Sequence, residues 1–97
     1  MDRQVSVYGS DTCAETDHTR DHLQDLGVPH TYVNVEEDSV AEDRVRAWNQ
    51  GRRVTPTLLV RSPAGAETLT MPSDEELDLA LARHGLLPSA VGGPGPY

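Results

Sequence analysis

The sequence predicts an α/β domain of order βαβ-α-ββα, with a four-stranded mixed sheet and helices on both of its faces. Three observations predict it. Short β-branched runs alternate with segments of helical period, each helical segment opens on a Ser/Thr-x-x-Glu signature, and Gly or Pro closes nearly every segment. With 97 residues the chain has room for one core and not for two.

Gln4 to Tyr8 places Val5 and Val7 on one face against Gln4, Ser6 and Tyr8, the pattern of a first strand. The period then changes. Thr12 followed by Glu15 reads as a capping box, with Thr12 as N-cap and Cys13 as the first helical residue. Thr16, Thr19, Leu23 and Leu26 share one face of that helix, and Gly27 with Pro29 ends it. His30 to Val35 is β-branched and aromatic, a second strand, so this first half is a βαβ unit whose strands run parallel. Ser39 and Glu42 make a second capping box, opening a helix that carries Ala41, Val45 and Trp48 inward until Gly51 stops it. Trp48 reads as core.

Val54 to Val60 is a strand interrupted by Pro56, which marks a strand end, an edge or a cis peptide. Pro63 to Ala66 forms a hairpin turn, and Glu67 to Thr70 returns. Ser73 with Glu76 is the third capping box, and Leu77, Ala80, Leu81 and His84 line the inner face of a last helix ending at Gly85. Residues 1–87 are thus one domain. Pro88 to Tyr97, mostly Pro, Gly and small residues, reads as a flexible tail.

Net charge is −8, and all eight basic residues are arginine. That balance disfavours nucleic acid and anionic membrane as partners, since both are bound largely through phosphate neutralisation. No apolar run approaches the roughly 20 residues of a membrane span, and Met1-Asp2-Arg3 leads directly into a strand, so a soluble, cytoplasmic chain is expected. A single cysteine excludes an intramolecular disulfide and a multi-cysteine zinc site. His18 and His22 have a spacing that suits a metal, with Asp17 or Asp21 to assist. On an exposed acidic face they read as solvated instead, and no metal site is expected.

Cys13 carries the chemistry. A helix start offers free N–H groups and the positive end of the helix dipole, and both favour a thiolate. Asp11, Glu15 and Asp17 act in the opposite sense. Arg20, Arg52 and Arg53 are the nearest basic residues, and Arg53, beside Thr55-Pro56, is the best placed to assist the sulfur or to bind a substrate carboxylate. Thr16, one turn on, either donates to the sulfur or packs as a small β-branched residue.

The element order is that of the thioredoxin fold, and from Gln4 to Leu87 the chain resembles the glutaredoxin family, most closely its mycoredoxin-like branch. The resemblance lies in Val7-Tyr8-Gly9-Ser10-Asp11-Thr12-Cys13, in Gly51-Arg52-Arg53-Val54-Thr55-Pro56-Thr57, and in Leu69 to Leu77. It implies Cys13 as the nucleophile toward disulfides, a cis Pro56 against the sulfur, Thr55 offering backbone groups to the incoming thiol or peptide, and Ser73 with Asp74 holding a small thiol. Where the family has Cys-x-x-Cys this chain has Cys13-Ala14-Glu15-Thr16, so a dithiol cycle is closed and a monothiol one remains.

The expected activity is therefore a monothiol thiol-disulfide oxidoreductase acting on mixed disulfides between proteins and a small thiol. Catalytic roles fall to Cys13 and Thr16, and substrate binding to Thr55, Pro56, Arg53, Ser73 and Asp74. The expected co-substrate is glutathione or mycothiol, with no tightly bound cofactor, and the working unit is a monomer. Two alternatives stand beside it: a protein-binding module that keeps the groove without the chemistry, and an iron-sulfur carrier, for which the family's Cys-Gly-Phe-Ser stretch is missing.

Overall fold

A computed structural model describes residues 2–87. The tail expected over residues 88–97 lies outside them. The elements run β1 (Gln4–Gly9), α1 (Ala14–Asp25), β2 (Thr31–Asn34), α2 (Ser39–Trp48), β3 (Thr57–Ser62), β4 (Gly65–Thr70) and α3 (Asp74–Arg83). They build a mixed sheet of order β2-β1-β3-β4, with β1 parallel to β2 and the other pairs antiparallel. This is the α/β architecture expected from the sequence.

The sheet is covered on both faces because β1 is apolar on both. Val5 and Val7 join Leu23 and Val28 of the α1 side, Leu58 and Val60 of β3, and Leu77 and Leu81 of α3 in the main core. Tyr8, which the alternation of the first strand leaves on its polar face, is 6% exposed and belongs to a second core with Val35, Ala41 and Val45 beneath α2. Trp48 packs there, its ring edge-on to Tyr8 with centroids 5.2 Å apart. An aromatic ring turned toward a second helical layer thus replaces the single buried face of the expected strand.

Two of the three capping boxes are absent. Cys13, not Thr12, is the N-cap of α1, and the Thr12 hydroxyl is hydrogen-bonded to that of Ser10 at 3.0 Å. Asp38, not Ser39, caps α2, accepting from the Ala41 N–H at 3.0 Å. A carboxylate one residue earlier reaches the same orphan N–H groups and adds a favourable interaction with the dipole. Glu42, freed from the cap, pairs with Arg46 at 2.8 Å. The third box forms as expected, with Ser73 accepting from the Glu76 N–H and Glu76 accepting from the Ser73 N–H. Among the described residues no helix is long and apolar enough to cross a membrane.

Candidate active site

The site lies where β1 hands the chain to α1. Ser10 to Thr12 form a tight turn, and the Cys13 N–H donates to the Ser10 carbonyl at 3.1 Å. Asp11 is held from the side, accepting from the Tyr32 hydroxyl at 2.7 Å, while the Arg20 guanidinium lies 3.9 Å above the Tyr32 ring. Burial and the Asp11 carboxylate together push the Tyr32 phenol up to about 12, so it remains a donor.

At the N-cap the Cys13 backbone is extended, with φ −101° and ψ 115°, and its side chain stands where a capping oxygen would stand. The thiol makes no formed cap bond. Its ionised form is favoured nonetheless. Burial pushes the Cys13 pKa up, but the Thr16 hydroxyl and N–H, the Thr55 side chain and the Glu15 N–H all favour the thiolate and bring it below the ordinary value of 9.0. Two acceptors also touch the sulfur: the Thr55 carbonyl and Glu15 Oε1 each lie 3.6 Å from Sγ and take the thiol proton when it is present.

Thr16 is fully buried, and its placement depends on Gly9. The Ser10 N–H donates to Thr16 Oγ1 at 3.4 Å, which occupies an acceptor site of the hydroxyl and leaves its proton for the sulfur. A Cβ at Gly9 would stand 2.4 Å from Thr16 Cγ2 and 2.6 Å from Oγ1. The spacing of Cys13 and Thr16, with glycine at the end of β1, is the sequence signal for this arrangement.

The Thr55–Pro56 peptide is cis, and the Met71 N–H donates to the Pro56 carbonyl at 2.9 Å. Pro56, Pro72, Thr19, Met71, Glu15 and His18 line a largely apolar groove of about 80 Å³, and Glu15 links it to the sulfur. Ser73 and Asp74 open α3 at its end, although their side chains already have partners. Ser73 caps the helix, and Asp74 Oδ1 lies 2.9 Å from His18 Nε2.

Arg53 departs from its expected role. It pairs with Glu36 at 3.3 Å, and the groups that act most strongly on the Cys13 thiol include no arginine. A carboxylate just beyond β2 takes the guanidinium, and hydrogen-bond donors do the work a cation was expected to do. His18 is exposed, as expected, and lies against Asp74 of α3, whereas His22 is half-buried, with Nε2 2.8 Å from Asp78 Oδ1. Among the described residues no group of three or more His, Cys, Asp or Glu is disposed to hold a metal.

Of the groove lining only Pro56 was an expected site residue; Glu15, His18, Thr19, Met71 and Pro72 were not. Glu15 was absorbed by the expected capping box and His18 by the solvated helix face. Met71 adopts φ +44°, a left-handed conformation that a methionine side chain does not advertise.

Residues 5–62 match the family model described as Glutaredoxin. No curated protein matches the chain. Among solved structures, a mutant of a thioredoxin-like protein is 22% identical, with a TM-score of 0.65 over 80% of this chain and 99% of that one. A wheat glutaredoxin is 15% identical, with a TM-score of 0.57 over 84% of this chain and 73% of that one. Maleylacetoacetate isomerase from Anaeromyxobacter dehalogenans, solved with GSH bound in its active site, is 21% identical, with a TM-score of 0.55. The match covers 93% of this chain and 44% of the isomerase. Identities this low show a shared fold.

Proposed function

The chain belongs to the glutaredoxin family, and we propose that it works there as a monothiol thiol-disulfide oxidoreductase of the mycoredoxin-like kind. It acts on mixed disulfides between a protein and a small thiol. The observation that carries this reading is the meeting of Cys13, at the start of α1, with the cis Thr55–Pro56 peptide, its sulfur 3.6 Å from the Thr55 carbonyl. The donors around the thiol lower its pKa, and Pro56 also lines the apolar groove.

In this reading the Cys13 thiolate attacks the small-thiol sulfur of the mixed disulfide. The protein sulfur leaves as a thiolate and takes a proton, and Cys13 holds the small thiol as a disulfide. A second molecule of that thiol attacks there, releasing Cys13 and forming the oxidised small thiol. Thr16 keeps the donor side of the sulfur filled throughout. Thr55 and Pro56 dock the substrate, and Ser73 and Asp74 meet the small thiol at the start of α3. Arg53 holds Glu36 through one nitrogen and keeps its other N–H groups for a substrate carboxylate. The chain works as a monomer in a reducing cytoplasm, with glutathione or mycothiol as co-substrate and no tightly bound cofactor. Residues 1–87 form its working domain.

The test is turnover of protein mixed disulfides with glutathione or with mycothiol, each coupled to its reductase, beside Cys13→Ser. Turnover with one thiol that the variant abolishes is the expected result. Equal inactivity of both proteins with both thiols would overturn the catalytic reading in favour of a protein-binding role for the groove.

A further inference from the structure

A carboxylate stands against the Cys13 sulfur. Glu15 Oε1 lies 3.6 Å from Cys13 Sγ, and among the described residues no arginine or histidine pairs with Glu15. Three basic groups of this end of the molecule have other partners. His18 is on Asp74 at 2.9 Å, Arg53 is on Glu36 at 3.3 Å, and Arg20 lies over the Tyr32 ring. The rest of the groove lining, Thr19, Pro56, Met71 and Pro72, carries no charge.

An S–S bond of about 2 Å brings the substrate sulfur within about 6 Å of the Glu15 carboxylate. The charged groups of such a substrate lie several bonds beyond its sulfur, at roughly 10 Å from the carboxylate, where each unit of charge changes the rate by about twofold at the dielectric of water, and by more where water is displaced. We infer that Glu15 makes Cys13 select small thiols by charge, favouring a thiol without net negative charge over an anionic one such as glutathione. This rests on Cys13 being the nucleophile toward small-thiol disulfides. In the step concerned, the Cys13 thiolate attacks one sulfur of R–S–S–R. The Cys13–S–S–R bond forms as the original S–S bond breaks, and RS⁻ leaves and is protonated by water, so the Cys13 thiol is oxidised as the disulfide is reduced.

The experiment measures second-order rates of mixed-disulfide formation on Cys13 by intact-mass spectrometry. The probes are cystamine, bis(2-hydroxyethyl) disulfide and oxidised glutathione, which are cationic, neutral and anionic. Each rate is divided by that of N-acetylcysteine amide with the same probe, which removes intrinsic reactivity. The normalised rates are expected to fall in that order, with cystamine about fourfold above oxidised glutathione. Added salt and Glu15→Gln are each expected to narrow that spread. Any change the variant makes in the thiolate fraction cancels, because it multiplies all three rates equally.

Oxidised glutathione reacting as fast as cystamine after normalisation would overturn the inference, and so would a spread unchanged in Glu15→Gln. The measurement needs no turnover. The expected charge order without catalytic cycling would therefore support the selection by Glu15 while contradicting the proposed enzyme.

Discussion

At the scale of single residues, the site depends on a glycine that touches no substrate. Gly9 lets Thr16 lie directly on the end of β1, and Thr16 in turn sets a hydroxyl toward Cys13. Gly9→Ala is expected to cost about 1–3 kcal/mol, the usual range for an overpacked interior, and to slow alkylation of Cys13 as Thr16 is displaced. In a Thr16→Ala background both offending atoms, Cγ2 and Oγ1, are gone, and the same glycine change is expected to cost at least about 1 kcal/mol less. Chemical denaturation of the four proteins of that cycle checks it, and equal costs in the two backgrounds would break the link between Gly9 and Thr16. Cys13 was legible as the residue at the junction of β1 and α1. Its cap position was not, because Thr12-x-x-Glu15 fits a capping box while the local turn gives Thr12 to Ser10. A motif marks which residues are able to cap, and the backbone leading into the helix decides which of them does.

At the scale of elements, the last helix is fastened to the hairpin by a half-buried polar network. Glu67 of β4 accepts from Arg83 at 2.6 Å and from His84 Nε2 at 3.0 Å, and His84 Nδ1 is hydrogen-bonded to the Ser62 hydroxyl. Arg3 Nε donates to the His84 carbonyl at 2.8 Å, so the start of the chain joins the same cluster. The hydrogen bond from Arg83, with that from His84, holds the Glu67 carboxyl below the ordinary value of 4.5 against the upward effect of burial. A carboxyl lowered by folding contributes stability above its unfolded pKa and loses it as pH falls through the folded value. Glu67→Gln is expected to melt below the wild type at neutral pH, and the gap is expected to close as pH falls below the ordinary carboxyl value of 4.5. Thermal melts across that range check it, and a constant gap would contradict it. The sequence placed His84 on the inner face of this helix but showed none of its partners. Ser62 and Glu67 lie far from His84 along the chain, and only the hairpin register brings them to it.

At the scale of the whole molecule, the order of elements was legible because each change of period coincides with a helix-start residue, a glycine or a proline. The strand ends were less so. Val54 to Pro56 read as part of a strand, whereas β3 begins at Thr57, after the cis peptide has turned the chain toward Cys13. The site was half legible. Cys13, Thr16, Thr55 and Pro56 come together through the pairing of β1 with β3. The arginine expected to help them is held by Glu36 instead, an ion pair that no local pattern announces. Across a chain of net charge −8, the groups that lower the Cys13 thiol are neutral donors.

The most direct measurement is therefore the pH dependence of Cys13 alkylation by iodoacetamide, in the wild type and in Thr16→Val. A midpoint below the ~8.5 of an unperturbed cysteine, moving up toward it in the variant, is the expected result. A wild-type midpoint at or above that value, or one that Thr16→Val leaves in place, would contradict the hydrogen-bonded thiolate on which the proposed chemistry stands.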